Sequence, residues 1–212
     1  MRVISRSNDR IAILLDGGFL RTVLQSSSGG QIPTAAQVVE VCERLLEHER
    51  LKSGALYRIF YYDAMPYDGI LTNPMDGYRI NFKTTTQFKA NSDLINGLEL
   101  QPDFAVRRGT LLSQGWKIKK TAVNDMIKTK RQIVAKDLAP DLKQKGVDIR
   151  IGLDMARIAL KGLVDILVLV TGDSDFVPVM KFVRTEGIKV YIAAFGRPLR
   201  LEMCAHADCV LP

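Results

Sequence analysis

Short, unbroken apolar runs that end in acidic residues are the most regular feature of the chain. The clearest run is Ile166 to Thr171, after which Gly172 interrupts the pattern and Asp173 and Asp175 follow. A run of this length without polar alternation is typical of a strand buried on both faces of a parallel sheet. Because open α/β sheets bind ligands at the carboxyl ends of their strands, the two aspartates mark a candidate site. The structural alternative is that they are ordinary helix caps and turn formers.

The same arrangement of strand, acid and turn recurs nearer the start of the chain. Within residues 10–16 (RIAILLD), Ile11 to Leu15 form an apolar run that Asp16 closes, and residues 56–62 predict a strand that is followed by Asp63. In a parallel sheet these acids leave from the same edge as Asp173. Further strands are predicted at residues 104–111 and 189–194.

Segments with helical spacing separate the predicted strands. Residues 149–160 predict a helix with Asp148 as its N-cap and with Leu153 and Leu160 among the residues directed to the core. Residues 121–143 are polar and predict either a helix outside the core or a mobile loop. The alternation of strands and helices predicts an α/β fold: one domain over residues 1–212, with a central, mainly parallel sheet flanked by helices.

Composition indicates a globular protein rather than a membrane or secreted one. The hydrophobic content is 47% and the mean hydropathy is +0.03, so a packed core is expected. No apolar run approaches the roughly 20 residues that span a bilayer, and the opening MRVISRSNDR lacks the apolar core of a signal peptide. Three cysteines fit a reducing compartment. We therefore expect a soluble cytoplasmic protein with no membrane partner.

The net charge of +7 is concentrated in one segment. Residues 117–145 contain nine basic and three acidic residues, a pattern that suits a polyanion such as nucleic acid. A solvated helix face explains the same charges equally well. The predicted phosphate contacts are Arg107, Arg108, Lys117, Lys119, Lys120, Lys128, Lys130, Arg131 and Lys145.

A cluster of carboxylates is the chemistry that the strand ends predict. At about 4 Å, each like-charged pair costs roughly 1 kcal/mol in water and roughly 4 kcal/mol at an effective dielectric constant of about 20. Such a cluster either takes up protons or binds a divalent cation, and all-oxygen ligands suit Mg²⁺ or Mn²⁺. These ions activate water in phosphodiester cleavage. The candidate acids are Asp16, Asp148, Asp154, Asp173 and Asp175, with Asp63 a weaker candidate.

Other site chemistries fit the sequence less well. It contains no phosphate-binding glycine loop of the Walker or dinucleotide type and no serine-hydrolase elbow. His48 and His206 are the only histidines. The segment DSDFV, from Asp173 to Val177, resembles the signature of haloacid-dehalogenase-like phosphotransferases, but it lies late in the chain. A phosphotransferase is therefore a minor alternative.

Several segments together resemble the NYN domain group of the PIN-like nuclease superfamily, in particular its bacterial LabA-like branch. The last two of them, in that order, are the most specific. The resemblance implies a PIN-like fold and a Mg²⁺- or Mn²⁺-dependent ribonuclease acting on RNA, which we expect to be single-stranded. The matching segments are Ile13 to Leu20, Tyr57 to Pro66, Phe104 to Gly109, Lys145 to Leu160 and Val170 to Val179.

The resemblance also assigns roles to the acids. Asp16, Asp154 and Asp173 are the implied metal ligands, and the further catalytic acids are Asp148 and Asp175. Many relatives have Asn shortly after the first acid, where this chain has Gly18 and Phe19. Some branches of the family are known mainly through regulatory roles, so a non-catalytic protein that binds RNA or another protein is the leading alternative. Homodimerisation is left open.

Overall fold

The computed structural model describes residues 8–212. The prediction about a signal peptide concerns the opening MRVISRSNDR, and residues 1–7 of that stretch lie outside the described residues. Most of the described strands form one sheet. Its strands are β1 (Arg10–Asp16), β2 (Ala55–Ala64), β5 (Phe104–Ile118), β6 (Leu138–Lys145), β7 (Ile166–Val170), β8 (Lys189–Ala193) and β9 (Cys209–Leu211). A separate hairpin is formed by β3 (Ile70–Thr72) and β4 (Arg79–Asn81). The order in the sheet is β6-β5-β2-β1-β7-β8-β9, and all neighbours are parallel except β5 and β6.

Helices cover both faces of this sheet, as the sequence predicts. The described helices are α1 (Gly17–Ser27), α2 (Ala35–Leu46), α3 (Thr86–Glu99), α4 (Lys120–Thr129), α5 (Val147–Leu160), α6 (Val177–Thr185) and α7 (Leu201–Ala205). Ile13 and Leu15 of β1 pack in the core that α1, α2 and α3 cover, whereas Leu14 packs in the core under α5, α6 and α7. The α/β prediction is therefore confirmed. Among the described residues, no helix combines the length and the apolar character needed to cross a bilayer.

The phase of α5 differs from the sequence-based expectation. Gly146 is the N-cap, so the prediction of Asp148 at that position is wrong, and Asp148 lies in the first turn instead. Ile151 is buried against the sheet, whereas Leu153 and Leu160 are 62% and 67% exposed, which corrects the prediction that they face the core. Residues seven apart share one helix face, so both leucines lie on the side away from Ile151.

An arm extends from the carboxyl edge of the sheet. Strand β5 pairs with β2 as far as Gly109, and its residues 110–118 continue beyond that edge, where β6 pairs with them antiparallel. Helix α4 lies between the two strands in sequence. The sequence predicted a strand over residues 104–111 and a helix or loop over residues 121–143. Helix α4 agrees with the second prediction, whereas β6 corrects it. Strand β6 was missed because it is polar and contains Pro140, which is typical of an edge strand rather than of a core strand.

Close packing at the start of α1 leads to a stability prediction. A Cβ atom on Gly17 would lie 2.7 Å from the Tyr62 carbonyl oxygen and 2.8 Å from the buried ring of Tyr61. We expect Gly17→Ala to lower the free energy of unfolding by about 1–3 kcal/mol, the usual cost of overpacking a core. Urea denaturation of the purified protein measures this change.

Gly152 provides the matched control within α5. A Cβ atom there meets no other atom within 4 Å, and the backbone is already helical. Gly152→Ala is therefore expected to raise the unfolding free energy by about 0.5–1 kcal/mol. Equal effects of the two substitutions would contradict the packing explanation.

Candidate active site

Asp16 and Asp173 meet at the carboxyl edge because their strands are direct neighbours. Strand β1 pairs with β7 in parallel, with Leu15 opposite Val170, so the residues that follow leave the sheet side by side. The Thr171 hydroxyl donates to Asp16 Oδ2 at 3.2 Å and accepts from the Asp173 backbone N–H at 3.2 Å. A single side chain therefore links the two acids that the sequence predicted from the strand ends.

Backbone hydrogen bonds orient both carboxylates further. Asp16 Oδ1 accepts from the Phe19 backbone N–H at 3.1 Å and thereby caps α1. Asp173 Oδ1 accepts from the Asp175 backbone N–H at 2.9 Å and caps the short 3-10 turn that precedes α6. The capping role that the sequence offered as an alternative is thus real. An ionised carboxylate accepts about four hydrogen bonds, so a cap leaves acceptor sites on both acids.

Asp148 lies in the first turn of α5, and its carboxylate interacts electrostatically with those of Asp16 and Asp173. Burial raises the pKa of its carboxyl group, and the charges of Asp173 and Asp175 raise it further. The pKa of Asp16 is raised as well, chiefly by burial, with Asp148 contributing and the Phe19 and Thr171 hydrogen bonds opposing the shift. The structure therefore brings Asp16, Asp148, Asp173 and Asp175 into one electrostatic neighbourhood.

Asp154 has a different environment, about 1.7 helical turns further along α5 than Asp148. Its Oδ2 accepts from the Tyr62 hydroxyl at 3.0 Å and from Arg107 Nε at 3.1 Å. Arg157 lies 3.9 Å from its other carboxylate oxygen. Six residues of helix separate it from Asp148 by about 9 Å. Positive charges thus already compensate Asp154, whereas negative charges face Asp148.

Asp63 serves as a buried anchor rather than an open ligand. Its side chain is 1% exposed and pairs with Arg21 Nη2 at 3.2 Å. The Tyr61 hydroxyl donates to the same carboxylate at 3.0 Å, and Arg21 also donates to Asn91 Oδ1 at 2.6 Å. Burial raises the pKa of Asp63, and Arg21 gives the largest opposing effect. The network ties α1 to β2 and α3 directly behind the acid pair.

Five of the nine predicted phosphate contacts have partners within the protein. Arg107 pairs with Asp154, Arg108 with Glu99, Lys117 with Asp141, and Arg131 with Asp125 and Asp137, and Lys119 donates to the Lys136 carbonyl oxygen. The Arg131 pair lowers the pKa of Asp137 to about 2, which marks it as structural. Within residues 8–212, Lys119 forms no ion pair, and neither do the four remaining predicted contacts, Lys120, Lys128, Lys130 and Lys145.

The acids at the edge of the sheet, together with Thr171, offer oxygen ligands to a cation. Asp16, Asp173 and Thr171 line a cleft there, and carboxylate and hydroxyl oxygens suit Mg²⁺ or Mn²⁺ by type. In the part of the chain that the structure describes, no group of three or more His, Cys, Asp or Glu side chains is arranged to hold a metal ion. The donor chemistry therefore fits a hard dication, while the side chains do not form a closed three-acid group.

The same cleft includes two arginines that the sequence analysis did not single out, and Phe19, to which it gave no role. Arg197 and Arg200 line it from the connection between β8 and α7, and Phe19 lines it from α1. Their signal in the sequence was position alone, since a loop that follows a parallel strand emerges at the same edge as the acids.

Comparison with known proteins agrees with this architecture. Residues 106–210 match the family model of the NYN domain, a range that includes Asp148, Asp154, Asp173 and Asp175 but begins after Asp16. A crystal structure of a protein of unknown function from Vibrio parahaemolyticus has a TM-score of 0.53 and 16% sequence identity, covering 100% of this chain and 95% of that chain. At this identity the likeness shows the fold alone. No curated protein matches the chain.

The family match is to the NYN domain and covers residues 106–210. It does not distinguish the LabA-like branch, which stays a prediction from the sequence. NYN domains are generally ribonucleases, and PIN-like nucleases typically use divalent metals. Residues 106–210 therefore carry the match to the NYN domain, which belongs to the PIN-like nuclease superfamily.

Proposed function

We propose that this chain is a divalent-metal-dependent endoribonuclease whose reaction centre contains Asp16, Asp148 and Asp173. The observation that carries the proposal is the Thr171 hydroxyl, which links Asp16 and Asp173 at the carboxyl edge of two adjacent parallel strands. The electrostatic coupling of Asp148 to both acids supports it as the third member. The NYN assignment supports RNA as the substrate class.

Mg²⁺ or Mn²⁺ is the proposed cofactor, held by Asp16 and Asp173 with Asp148 nearby. When bound, such an ion makes water a stronger nucleophile and neutralises charge on a phosphodiester. The sequence pointed to Asp154 as a ligand, and that assignment stays a prediction. Asp154 is already hydrogen-bonded to Tyr62 and paired with the Arg107 guanidinium, and this positive charge weakens the attraction of its carboxylate for a metal ion. Asp148 is therefore the better candidate for the third ligand.

Two further acids have supporting roles in this proposal. The Asp175 backbone N–H fixes the orientation of the Asp173 carboxylate, and its side chain adds negative charge near Asp148. The ion pair between Asp154 and Arg107 holds α5 against β5, since the two residues belong to these elements. Asp154 is thereby a positioning residue for the turn of α5 that carries Asp148.

The lysines of the arm are the proposed track for the rest of the RNA strand. Lys120, Lys128, Lys130 and Lys145 carry charges that no ion pair within the described residues neutralises, and residues 110–118 of the arm extend past the edge where the acids lie. Free lysines bind phosphates through counterion release. We propose that the RNA is single-stranded. We also propose that the protein is cytoplasmic and that the whole chain forms a single domain.

A non-catalytic RNA-binding protein is the second candidate. The observation that favours it is that the described residues contain no group of three or more side chains arranged for a metal ion. The two functions predict opposite effects of chelation. A regulator binds RNA equally well with and without EDTA and leaves the RNA intact.

Cleavage of a labelled single-stranded RNA by the purified protein tests the proposal. With Mn²⁺ we expect shortened products on a denaturing gel, and with excess EDTA we expect none, because the carboxylates alone do not activate water. The free acids repel one another, so the ion is also expected to raise the melting temperature of the protein. Intact RNA and an unchanged melting temperature in Mn²⁺ would favour the regulator.

A further inference from the structure

A cleft of about 420 Å³ lies beside the acid pair, and its walls differ in chemistry. Helix α1 forms one wall with Phe19 and Val23, and the connection from β8 to α7 forms the other with Arg197 and Arg200. We propose that this cleft binds one unpaired nucleotide of a single-stranded nucleic acid, with a phosphate at the two arginines and the base against Phe19. The inference rests on the proposed function for the neighbouring acids.

The ring of Phe19 is held in place on the cleft wall. It packs on the backbone of Gly172, where an added Cβ atom would lie 2.8 Å from the ring, and the Phe19 backbone N–H is bound to Asp16. Phe19 is half-buried, so part of the ring remains open to the cleft. The open part of the ring offers an apolar face that stacks on a base of any sequence.

Two arginines line the same cleft as the ring. Arg197 Nη2 donates to the Ser26 hydroxyl of α1, which connects the two walls. Neither Arg197 nor Arg200 forms an ion pair with any residue in the described range 8–212. An unpaired guanidinium matches the oxygens of a phosphate with two parallel N–H donors.

The geometry selects an unpaired base. The volume falls within the roughly 300–1,000 Å³ of small-ligand sites, which suits a nucleotide unit. A base inside a duplex is already stacked on both faces, so the Phe19 ring reaches a base only when the strand is single. Asp16 and Asp173 line the same cleft, which brings the sugar–phosphate chain of the bound nucleotide beside the proposed reaction centre.

Binding of a fluorescein-labelled ten-nucleotide oligouridine RNA, measured by anisotropy in EDTA with the full chain, tests this site without cleavage. We expect Arg200→Ala to weaken binding by about tenfold at low salt and to reduce the slope of log K against log salt by about 0.7, because one phosphate contact is lost. Phe19→Leu should weaken binding by about 5- to 10-fold with the slope unchanged, and Phe19→Trp should retain binding.

Arg58→Ala is the matched control. Arg58 is exposed and lies near the amino end of β2, away from the carboxyl edge, so the same loss of charge should change Kd by less than about twofold. Thermal melting checks that each variant is folded. Failure of the wild-type chain to bind the oligouridine, equal losses in Arg58→Ala and Arg200→Ala, or Phe19→Leu binding as tightly as wild type would each overturn the site.

The experiments distinguish a failure of the nucleotide-site proposal from a failure of the ribonuclease proposal. If Arg200→Ala and Phe19→Leu lose binding while the wild type never cleaves RNA in Mn²⁺, the nucleotide site stands and the ribonuclease falls. If the wild type cleaves RNA and both variants bind as it does, the ribonuclease stands and the nucleotide site falls.

Discussion

Replacing Asp173 with Asn is expected to lower the rate of Mn²⁺-dependent RNA cleavage by more than about 100-fold. Loss of an outer partner of a metal ligand already costs about 10–100-fold, and loss of the ligand's charge costs more. Asn keeps an oxygen that accepts from the Asp175 backbone N–H, so the turn before α6 retains its cap. Cleavage rates at saturating Mn²⁺, with melting temperature as the check on folding, give the result.

Comparison of Asp148→Asn with Asp154→Asn identifies the third carboxylate. Asp148 faces the charges of Asp173 and Asp175, so its replacement should reduce cleavage nearly as much as Asp173→Asn. Asp154 is bound by Tyr62 and Arg107, so its replacement should affect stability more than cleavage, with less than about a tenfold loss of rate. The reverse order of rates would restore the ligand set that the sequence implied. Full activity of Asp173→Asn would remove the reaction centre proposed here.

The acid pair could be predicted from the sequence because strand ends fix it. Residues 11–15 of β1 and the whole of β7 are unbroken apolar runs, and neighbouring parallel strands end at the same edge of the sheet. Asp16 and Asp173 follow directly from that rule, with no knowledge of helix orientation. The parallel sheet itself was predictable for the same reason.

The acids of α5 could not be ranked in the same way. Asp148 and Asp154 are six residues apart, so they differ by about 9 Å along the axis and by about a third of a turn around it. Which of them points to the strand ends depends on the phase of the helix. The exposed Leu153 shows that apolar residues alone did not determine that phase.

The basic segment shows a second limit of sequence reasoning. The net charge of this segment can be read from the sequence, but which of its charged side chains are paired within the fold cannot. Arg131 is paired with Asp125 and Asp137. Strand β6 is an edge strand, and its polar residues lack the apolar pattern by which a buried strand is predicted. Arg200, by contrast, lies in a loop outside the basic segment, and only its position in the cleft marks it as a candidate phosphate contact.

Arg21→Met is expected to lower the free energy of unfolding by about 3–5 kcal/mol, the largest stability change we predict. The substitution keeps the apolar stem of the side chain but leaves the Asp63 carboxylate, which is 1% exposed, without its cation. The hydrogen bond to Asn91 is lost as well. Urea denaturation at neutral pH measures the effect. Arg10→Met removes a pair with Asp165 whose side chains are 50% and 44% exposed, and it should cost less than about 1 kcal/mol.

The pH dependence of this loss separates an unpaired charge from a simple loss of packing. Burial raises the pKa of Asp63 and Arg21 opposes that shift, so the pKa rises further when Arg21 is removed. A carboxyl group whose folded pKa exceeds its unfolded value of about 3.9 contributes stability at low pH and loses it as pH rises through the folded pKa. Arg21→Met should therefore cost less at pH 5 than at pH 8, because Asp63 takes up a proton in the folded variant. An equal cost at both pH values would mean that the packing of the Arg21 stem, rather than the buried charge of Asp63, accounts for the loss.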